Sequence, residues 1–281
     1  AGWRSAKLRK AESYNDDVAA AMHQLEGLRI GDRERAIEML TMAIEKQPEN
    51  PHHYGSRGLV YRNMGQFEQA LADYNQAIEL DPNNGNHYYW RGQTYRALED
   101  FKSALADLDR AVELQPNDAY NYNIRGIIYR MTGNFAAALA DYTRAIELKP
   151  DEADPHVGRA ITYRILQRYD KAIDDYSIAI HLQPNHGDHY YWRGQTYRAL
   201  GDLNAALDDL NRAIDLQPND PANHNERGII LRKLGQFEAA IADYSRAIEI
   251  HPEYADPYVG RALAYDSLEQ YQSAIVDYTR V

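Results

Sequence analysis

Small and aromatic residues recur along this chain at the spacing of one face of an α-helix. The clearest example lies in residues 52–80. The face positions are Tyr54, Gly58 and Tyr61 in its first half and Ala70, Tyr74 and Ala77 in its second. Because residues at these spacings share a helix face, we predict a helix A over 52–64 and a helix B over 67–80. Gly65 lies in the turn between them.

A constant period of about 34 residues organises nearly the whole sequence. The string HYYWRGQTYRAL starts at His87 and again at His189, which is three periods later. Proline closes each period, at Pro48, Pro82, Pro116, Pro150, Pro184, Pro218 and Pro252. Proline cannot continue a helix, and the neighbouring Asn and Asp residues favour turns. Each period is therefore predicted to form one pair of helices.

This pattern of aromatic, small, alanine and closing proline positions resembles the tetratricopeptide repeat. The resemblance covers about residues 17–281. It implies an all-α fold, a right-handed α-solenoid (superhelix) of about eight antiparallel helix-pair repeats with a concave groove lined by helix A. One departure is systematic, because the family's usual Leu before the small residue is Arg in every clear repeat.

The predicted organisation has three parts. Residues 1–16 form an N-terminal tail, residues 17–48 a degenerate first repeat, and residues 49–281 seven tetratricopeptide repeats, the last truncated. The offset between the two copies of the string indicates a duplicated block of three repeats. Because the chain begins without Met and ends inside a predicted helix B, we expect a fragment of a longer protein or a mature chain cut from one.

A first arginine row stands immediately before the small residue of each helix A, and an aspartate of helix B follows each arginine at a constant separation. The pairs are Arg57 and Asp73, Arg91 and Asp107, Arg125 and Asp141, Arg159 and Asp175, Arg193 and Asp209, Arg227 and Asp243, and Arg261 and Asp277. These charges form either a structural ion-pair ladder or a ligand-binding row. We favour ion pairs, because buried charges are normally paired and the partner is present in equal number.

A second arginine row lies further along each helix A, on the side that the family turns toward the groove. Its members are Arg62, Arg96, Arg130, Arg164, Arg198 and Arg232. No acidic row matches it in register. It is either a solvated face with contacts to acidic residues of the next repeat, or a positive stripe for an anionic partner, since stacked like charges repel. Both interpretations stay open.

Further polar and aromatic residues are predicted to line the same groove. They are Tyr89, Gln93 and Asn123, with Tyr191, Gln195 and Asn225 as their copies three periods later. In peptide-binding members of the family, Asn at the position of Asn123 and Asn225 often holds the ligand backbone. An amide both donates and accepts hydrogen bonds, and Tyr supplies rigid contact area. The alternative is that these are ordinary surface residues. The family's Lys and Asn carboxylate clamp is not reproduced here.

Composition and motifs exclude several classes of chemistry. The 281 residues carry 31 Lys and Arg against 42 Asp and Glu, a net charge of −11, which counts against nucleic acid as a partner. Cysteine is absent, and no apolar run approaches the roughly 20 residues of a membrane helix. No catalytic motif is present, so we expect neither an enzyme nor a cofactor. His186 and His189 flank a turn, but the earlier copy has Asn84, so we expect no metal site there.

We therefore expect a scaffold that binds a protein or peptide segment, with an acidic segment as one candidate. The alternatives are a regulatory or sensor region of a larger enzyme or signalling protein, and a single-stranded RNA-binding protein. Self-association through the uncapped C-terminal end is a further candidate. The lack of cysteine is compatible with cytosol and periplasm alike, and we favour a soluble cytoplasmic protein.

Overall fold

The computed structural model describes residues 30–280, and the regular structure in this range is α-helical. The helices are α1 Ile30–Lys46, α2 Pro51–Asn63, α3 Phe67–Leu80, α4 Gly85–Ala97, α5 Phe101–Leu114, α6 Ala119–Met131, α7 Phe135–Leu148, α8 Ala153–Ile165, α9 Tyr169–Leu182, α10 Gly187–Leu200, α11 Leu203–Leu216, α12 Pro221–Lys233, α13 Phe237–Ile250, α14 Ala255–Ser267 and α15 Tyr271–Tyr278. The predicted N-terminal tail and helix A of the degenerate first repeat lie outside the described residues.

The helices form two compact units. The first unit ends at Leu148 and contains α1 to α7, and the second starts at Lys149 and contains α8 to α15. Within each unit, every helix packs against the next helix along the chain, and the A helices of successive repeats also touch. The predicted all-α solenoid of helix pairs is therefore the observed fold class.

Polar caps and a left-handed turn set the ends of helix A. The side chains of Asn50, Asn84, Asp118 and Asp220 accept hydrogen bonds from the backbone N–H two residues later, which satisfies donors that a helix start leaves free. The residue between the two helices of each repeat has a positive φ. Those residues are Gly65, Glu99, Gly133, Gln167, Gly201, Gly235 and Glu269. Glycine suits this conformation because it lacks a Cβ atom.

Each core is built from small residues around one larger side chain of helix B. Ala70 and Ala77 of α3 are fully buried on either side of Tyr74, and the other B helices repeat this arrangement with Tyr or Leu at the central position. A Cβ atom added to Gly58 of α2 would lie 3.0 Å from the Tyr74 ring. The small residue therefore allows helices A and B to approach closely, and this contact fixes which faces of helix A remain for the two arginine rows.

Candidate functional site

The first arginine row forms the ion pairs that connect the two helices of each repeat. In every repeat from Arg57 to Arg261, Nε and Nη2 of the arginine donate to the two carboxylate oxygens of its aspartate on helix B. The donor–acceptor distances are 2.6–2.8 Å. The aspartates are buried. This bidentate geometry is the one that guanidinium groups prefer with carboxylates.

The remaining guanidinium nitrogen reaches a third helix, which the sequence analysis missed. Nη1 donates to a side-chain oxygen of the preceding helix B, at 2.7–3.0 Å. The acceptors are Thr41, Asn75, Asp109, Ser177, Asn211 and Ser245. They occupy the same position of their repeats, but their chemical type varies. In these six cases the arginine therefore connects its repeat to the repeat before it, and all three guanidinium nitrogens make hydrogen bonds inside the protein.

The hydrogen bonds of these pairs favour the charged forms, whereas burial disfavours ionised carboxylates and raises the pKa of Asp141 and Asp209. Around Arg125, hydrogen bonds to Asp141 outweigh the desolvation of the guanidinium and raise the pKa of the arginine. Burial opposes ionisation of Asp175, but hydrogen bonds from Arg159 and His156 prevail and lower the pKa of the carboxyl group. Asp243 has the same environment, with Arg227 and a histidine beside it, and its pKa is also lowered. The balance between burial and hydrogen bonding therefore differs from one pair to another.

The second arginine row lies on the part of helix A that faces the following helix A, and its members are half-buried. The guanidinium carbon of Arg62 lies 5.6 Å from the centre of the Trp90 ring, and that of Arg164 lies 4.9 Å from the centre of the Trp192 ring. Arg130 Nε donates to the hydroxyl of Tyr142 at 3.4 Å. Cation–π contact and burial therefore position several of these groups, so the row is not a freely solvated face.

One member of this row is neutralised by an acidic residue of the next repeat, as one of the two interpretations of the row allows. Arg198 Nε forms an ion pair with Oε1 of Glu226, a buried carboxylate on the next helix A. Within residues 30–280, the other five members have no carboxylate at ion-pair distance. The residue at this position varies from repeat to repeat, and the earlier copy of the duplicated block has Ile124 there.

The tyrosine and glutamine of each copy form a local pair on helix A. Gln93 Nε2 donates to the Tyr89 hydroxyl at 2.9 Å, and Gln195 Nε2 donates to the Tyr191 hydroxyl at 2.7 Å. Burial raises the pKa of Tyr89 and Tyr191 to about 12. These hydroxyls stay protonated at neutral pH and act as fixed, rigid polar groups. The structure therefore places the predicted residues together on the face of helix A, next to the second arginine row.

Asn123 and Asn225 are almost fully buried, unlike ordinary surface residues. Asn123 is 7% exposed and Asn225 is 6% exposed. The amide nitrogen of Asn225 donates to the Tyr254 hydroxyl at 3.1 Å. The side-chain oxygens of both residues, and that of Gln93, have no hydrogen-bond partner in the part of the chain that the structure describes. A buried acceptor without a partner costs free energy, so these oxygens are suited to an incoming N–H group.

Other candidate chemistry finds no support in the geometry. The rings of His186 and His189 stack with their centres 4.3 Å apart. Among residues 30–280, no three His, Cys, Asp or Glu side chains are grouped in a way that could hold a metal ion. In the same range, no helix has both the length and the apolar character needed to span a bilayer.

Sequence comparison identifies the family. Models described as TPR repeat match residues 58–98 and 228–268, and models described as tetratricopeptide repeat match 92–161, 157–221 and 210–242. The chain belongs to the tetratricopeptide-repeat family. A comparison with curated proteins gave no match.

Solved structures of the same fold include proteins with different roles. The chain aligns with the APC/C hetero-tetramer Cut9-Hcn1 at a TM-score of 0.68 and 17% identity, over 83% of this chain and 46% of that one, so it spans less than half of that chain. A tetratricopeptide repeat protein from Parabacteroides merdae aligns at a TM-score of 0.61 and 22% identity, over 92% and 96%. YrrB, described as a TPR protein with an unusual peptide-binding site, aligns at 0.55 and 26% identity, over 66% and 96%.

Proposed function

We propose that this protein is a scaffold that binds an extended peptide segment of another protein along helix A, across the second arginine row. Tetratricopeptide-repeat proteins are in general protein-interaction modules, and the similarity to YrrB, a peptide-binding member, supports the assignment. The role is one of binding and not of catalysis.

One observation carries the proposal. Five half-buried arginines of the second arginine row have no carboxylate partner within residues 30–280, and buried amide oxygens without partners lie on the same helices. Desolvated charges and acceptors are normally compensated within a protein. A peptide supplies both of the missing partners. Its backbone N–H groups can bind the amide oxygens, and its negative charge can bind the guanidinium groups.

The test uses peptides that the wild-type protein selects from a random-sequence display library. Their affinities are then measured by fluorescence anisotropy. The double change Arg130→Glu and Arg164→Glu should weaken binding at least about tenfold, because each reversal turns attraction into repulsion. Helicity and melting temperature should change little, and Arg130→Gln with Arg164→Gln should give an intermediate loss.

The matched control places the same charge change elsewhere. Arg144 and Arg246 lie on B helices, where each forms an exposed ion pair with a glutamate three residues later. Arg144→Glu with Arg246→Glu should leave binding unchanged. Equal affinities for the two double variants would refute binding on the face of helix A.

Single-stranded RNA is the alternative ligand, since Trp90 and Trp192 lie beside arginines and aromatic rings can stack on bases. The net charge of −11 opposes it. We expect no steep salt dependence in a titration with a mixed-sequence oligonucleotide. A steep dependence would favour RNA over peptide.

Self-association is a separate proposal. The last described helix, α15, exposes Tyr271, Ile275 and Val276, at 56%, 52% and 66%. Apolar surface of this kind favours contact with another molecule. Light scattering should show a concentration-dependent increase in mass that Ile275→Lys abolishes, and a constant monomer mass would eliminate this idea.

A further inference from the structure

The duplicated block offers two copies of one local environment that differ at a decisive residue. The helices α4 and α10 share the string from His87 to Leu98 and its copy, so both carry Tyr, Trp, Gln and Arg at equivalent positions. On the following helix A, the first copy has Ile124 where the second copy has Glu226. The shared string is therefore identical in the two copies, and the carboxylate of Glu226 is one of the differences on the helices around it.

In the second copy the polar groups form a closed chain. Arg164 Nη1 donates to Gln195 Oε1 at 3.2 Å, and Gln195 Nε2 is 3.5 Å from Glu226 Oε2. The other oxygen of Glu226 pairs with Arg198 Nε. The carboxylate thus neutralises this environment from within, between two arginines of the second row.

In the first copy the same chain is open. Arg96 has no carboxylate at ion-pair distance among the described residues, and Gln93 Oε1 has no hydrogen-bond partner there, whereas Gln195 Oε1 accepts from Arg164. Asn123 Oδ1 also lacks a partner, as Asn225 Oδ1 does in the second copy. Gln93 and Asn123 are both more than nine-tenths buried. Burial and the nearby charge of Arg62 lower the pKa of Arg96, in keeping with the lack of a carboxylate beside it. Neighbouring cations without a counterion are costly in a partly desolvated setting.

We propose that Arg62, Gln93, Arg96 and Asn123 form a subsite for one acidic side chain, Asp or Glu, of the bound peptide. This inference rests on the proposed function and adds the ligand's chemistry to it. In the second copy, the carboxylate of Glu226 lies where the acidic side chain of the peptide would bind in the first copy. The guanidinium groups bind the carboxylate, and the amide oxygens of Gln93 and Asn123 accept N–H groups of the peptide backbone on either side of it.

The same comparison predicts that the second copy is closed to acidic side chains. Arg198 is already paired with Glu226, and the negative charge of Glu226 repels a second carboxylate. The first copy should therefore prefer an acidic side chain and the second copy a neutral one. Specificity of this kind combines an attractive site with a repulsive one.

The experiment uses peptides selected by the wild-type protein, acetylated and amidated so that they carry no terminal charges. Each acidic residue is replaced in turn by its amide, Glu by Gln or Asp by Asn. The wild type should lose affinity about tenfold for one such replacement, the loss of one charge-assisted hydrogen bond. Ile124→Glu should bind the amide peptide with unchanged affinity and lose the preference for the acidic one. Ile124→Gln, its matched uncharged control, should keep the preference.

The reverse change tests the second copy. Glu226→Ile recreates the Asn-Ile pair of the first copy, since Asn225 precedes it, and should create a second position at which an acidic residue raises affinity. If Ile124→Glu prefers the acidic peptide as strongly as the wild type does, the subsite is wrong while peptide binding stands. If the wild type binds none of the selected peptides in solution, the proposed function is wrong and the subsite falls with it.

A readout that needs no peptide checks the geometry. The Nε–H nuclear magnetic resonance signal of Arg96 in Ile124→Glu should move toward the position of the Arg198 signal, because both groups would then donate to a carboxylate. Circular dichroism establishes that the variant is folded. A folded variant with an unmoved Arg96 signal would overturn the equivalence of the two copies.

Discussion

Both arginine rows repeat with the same period on the same helices, but their guanidinium groups make different contacts. In the first row, the guanidinium group of Arg125 makes two bonds to Asp141 and a third to Asp109, so every nitrogen is used inside the protein. In the second row, the neighbouring Arg130 makes one long bond to a tyrosine hydroxyl. Periodicity alone therefore does not distinguish a structural charge from an available one. The residue on the facing helix makes that distinction, because it either pairs with the arginine or leaves it unpaired.

The largest expected difference between the rows is in stability. Arg125→Met leaves Asp141 buried without its cation, and we expect a loss of about 3 kcal/mol in the free energy of unfolding. Arg130→Met removes one weak hydrogen bond and should cost less than about 1 kcal/mol. Urea denaturation followed by circular dichroism measures both. Similar losses for the two variants would show that the rows do not differ in structural role.

The exception within the second row should behave like the first row. Arg198→Met leaves the buried carboxylate of Glu226 unpaired, so we expect a loss of about 2 kcal/mol. Arg96→Met removes a charge that has no carboxylate partner in the described part of the chain, and should be close to neutral. Adding Glu226→Ile to Arg198→Met should restore most of the stability. Failure of this rescue would mean that the ion pair is not the cause.

Acid should act on the first row and spare the second. Because the pKa of Asp175 and Asp243 is lowered in the folded state, these groups stabilise the fold above the unfolded value of about 4. That stabilisation is lost as the pH falls through the folded value. Urea midpoints measured from about pH 6 to about pH 3 should fall for the wild type and for Arg164→Gln alike. Asp175→Asn should start lower and fall less, and a steeper fall in Asp175→Asn would contradict this assignment.

Salt should change the free energy of unfolding least, and it should raise stability where acid lowers it. The charges of Arg62 and Arg96 repel each other, and salt screens that repulsion. We expect a gain of about 0.5 kcal/mol in the first unit on raising NaCl from about 0.05 M to about 0.5 M. Arg62→Gln should abolish the salt-dependent gain. An equal gain in Arg62→Gln would assign it to other charges.

The sequence was sufficient to predict the features that repeat without variation. The helix pairs follow from the spacing of Gly58 and Tyr61, and the pairing of Arg with Asp follows from their constant separation along the chain. Both arise from contacts within one repeat, which every repeat must make in order to bury its helices. The same reasoning located α2 and α3 to within one residue at each end.

The features that were missed depend on contacts between repeats or on residues that vary between repeats. The acceptors Thr41, Asn75 and Ser177 share an oxygen but not a residue type, so their recurrence is hidden in the sequence. Glu226 stands at a position where the residue varies from repeat to repeat, with Ser56 and Gly158 in other repeats, so the period carries no information about it. Comparison with Ile124 in the other copy was the signal that would have found it. Whether its neighbours bind a peptide depends on a second molecule that the sequence does not contain.

The third bond of the first arginine row has an evolutionary consequence. Arg91 reaches back to an oxygen on the preceding helix B, and Arg125 reaches back to the repeat of Arg91 in the same way. A gene segment encoding one whole repeat can therefore be copied or deleted, and both new junctions still match donor to acceptor. Thr, Asn, Asp and Ser are interchangeable there because each supplies an oxygen. Exchange among these residues therefore carries little penalty, whereas an insertion that shifts a helix A relative to the preceding helix B would break the connection at that junction.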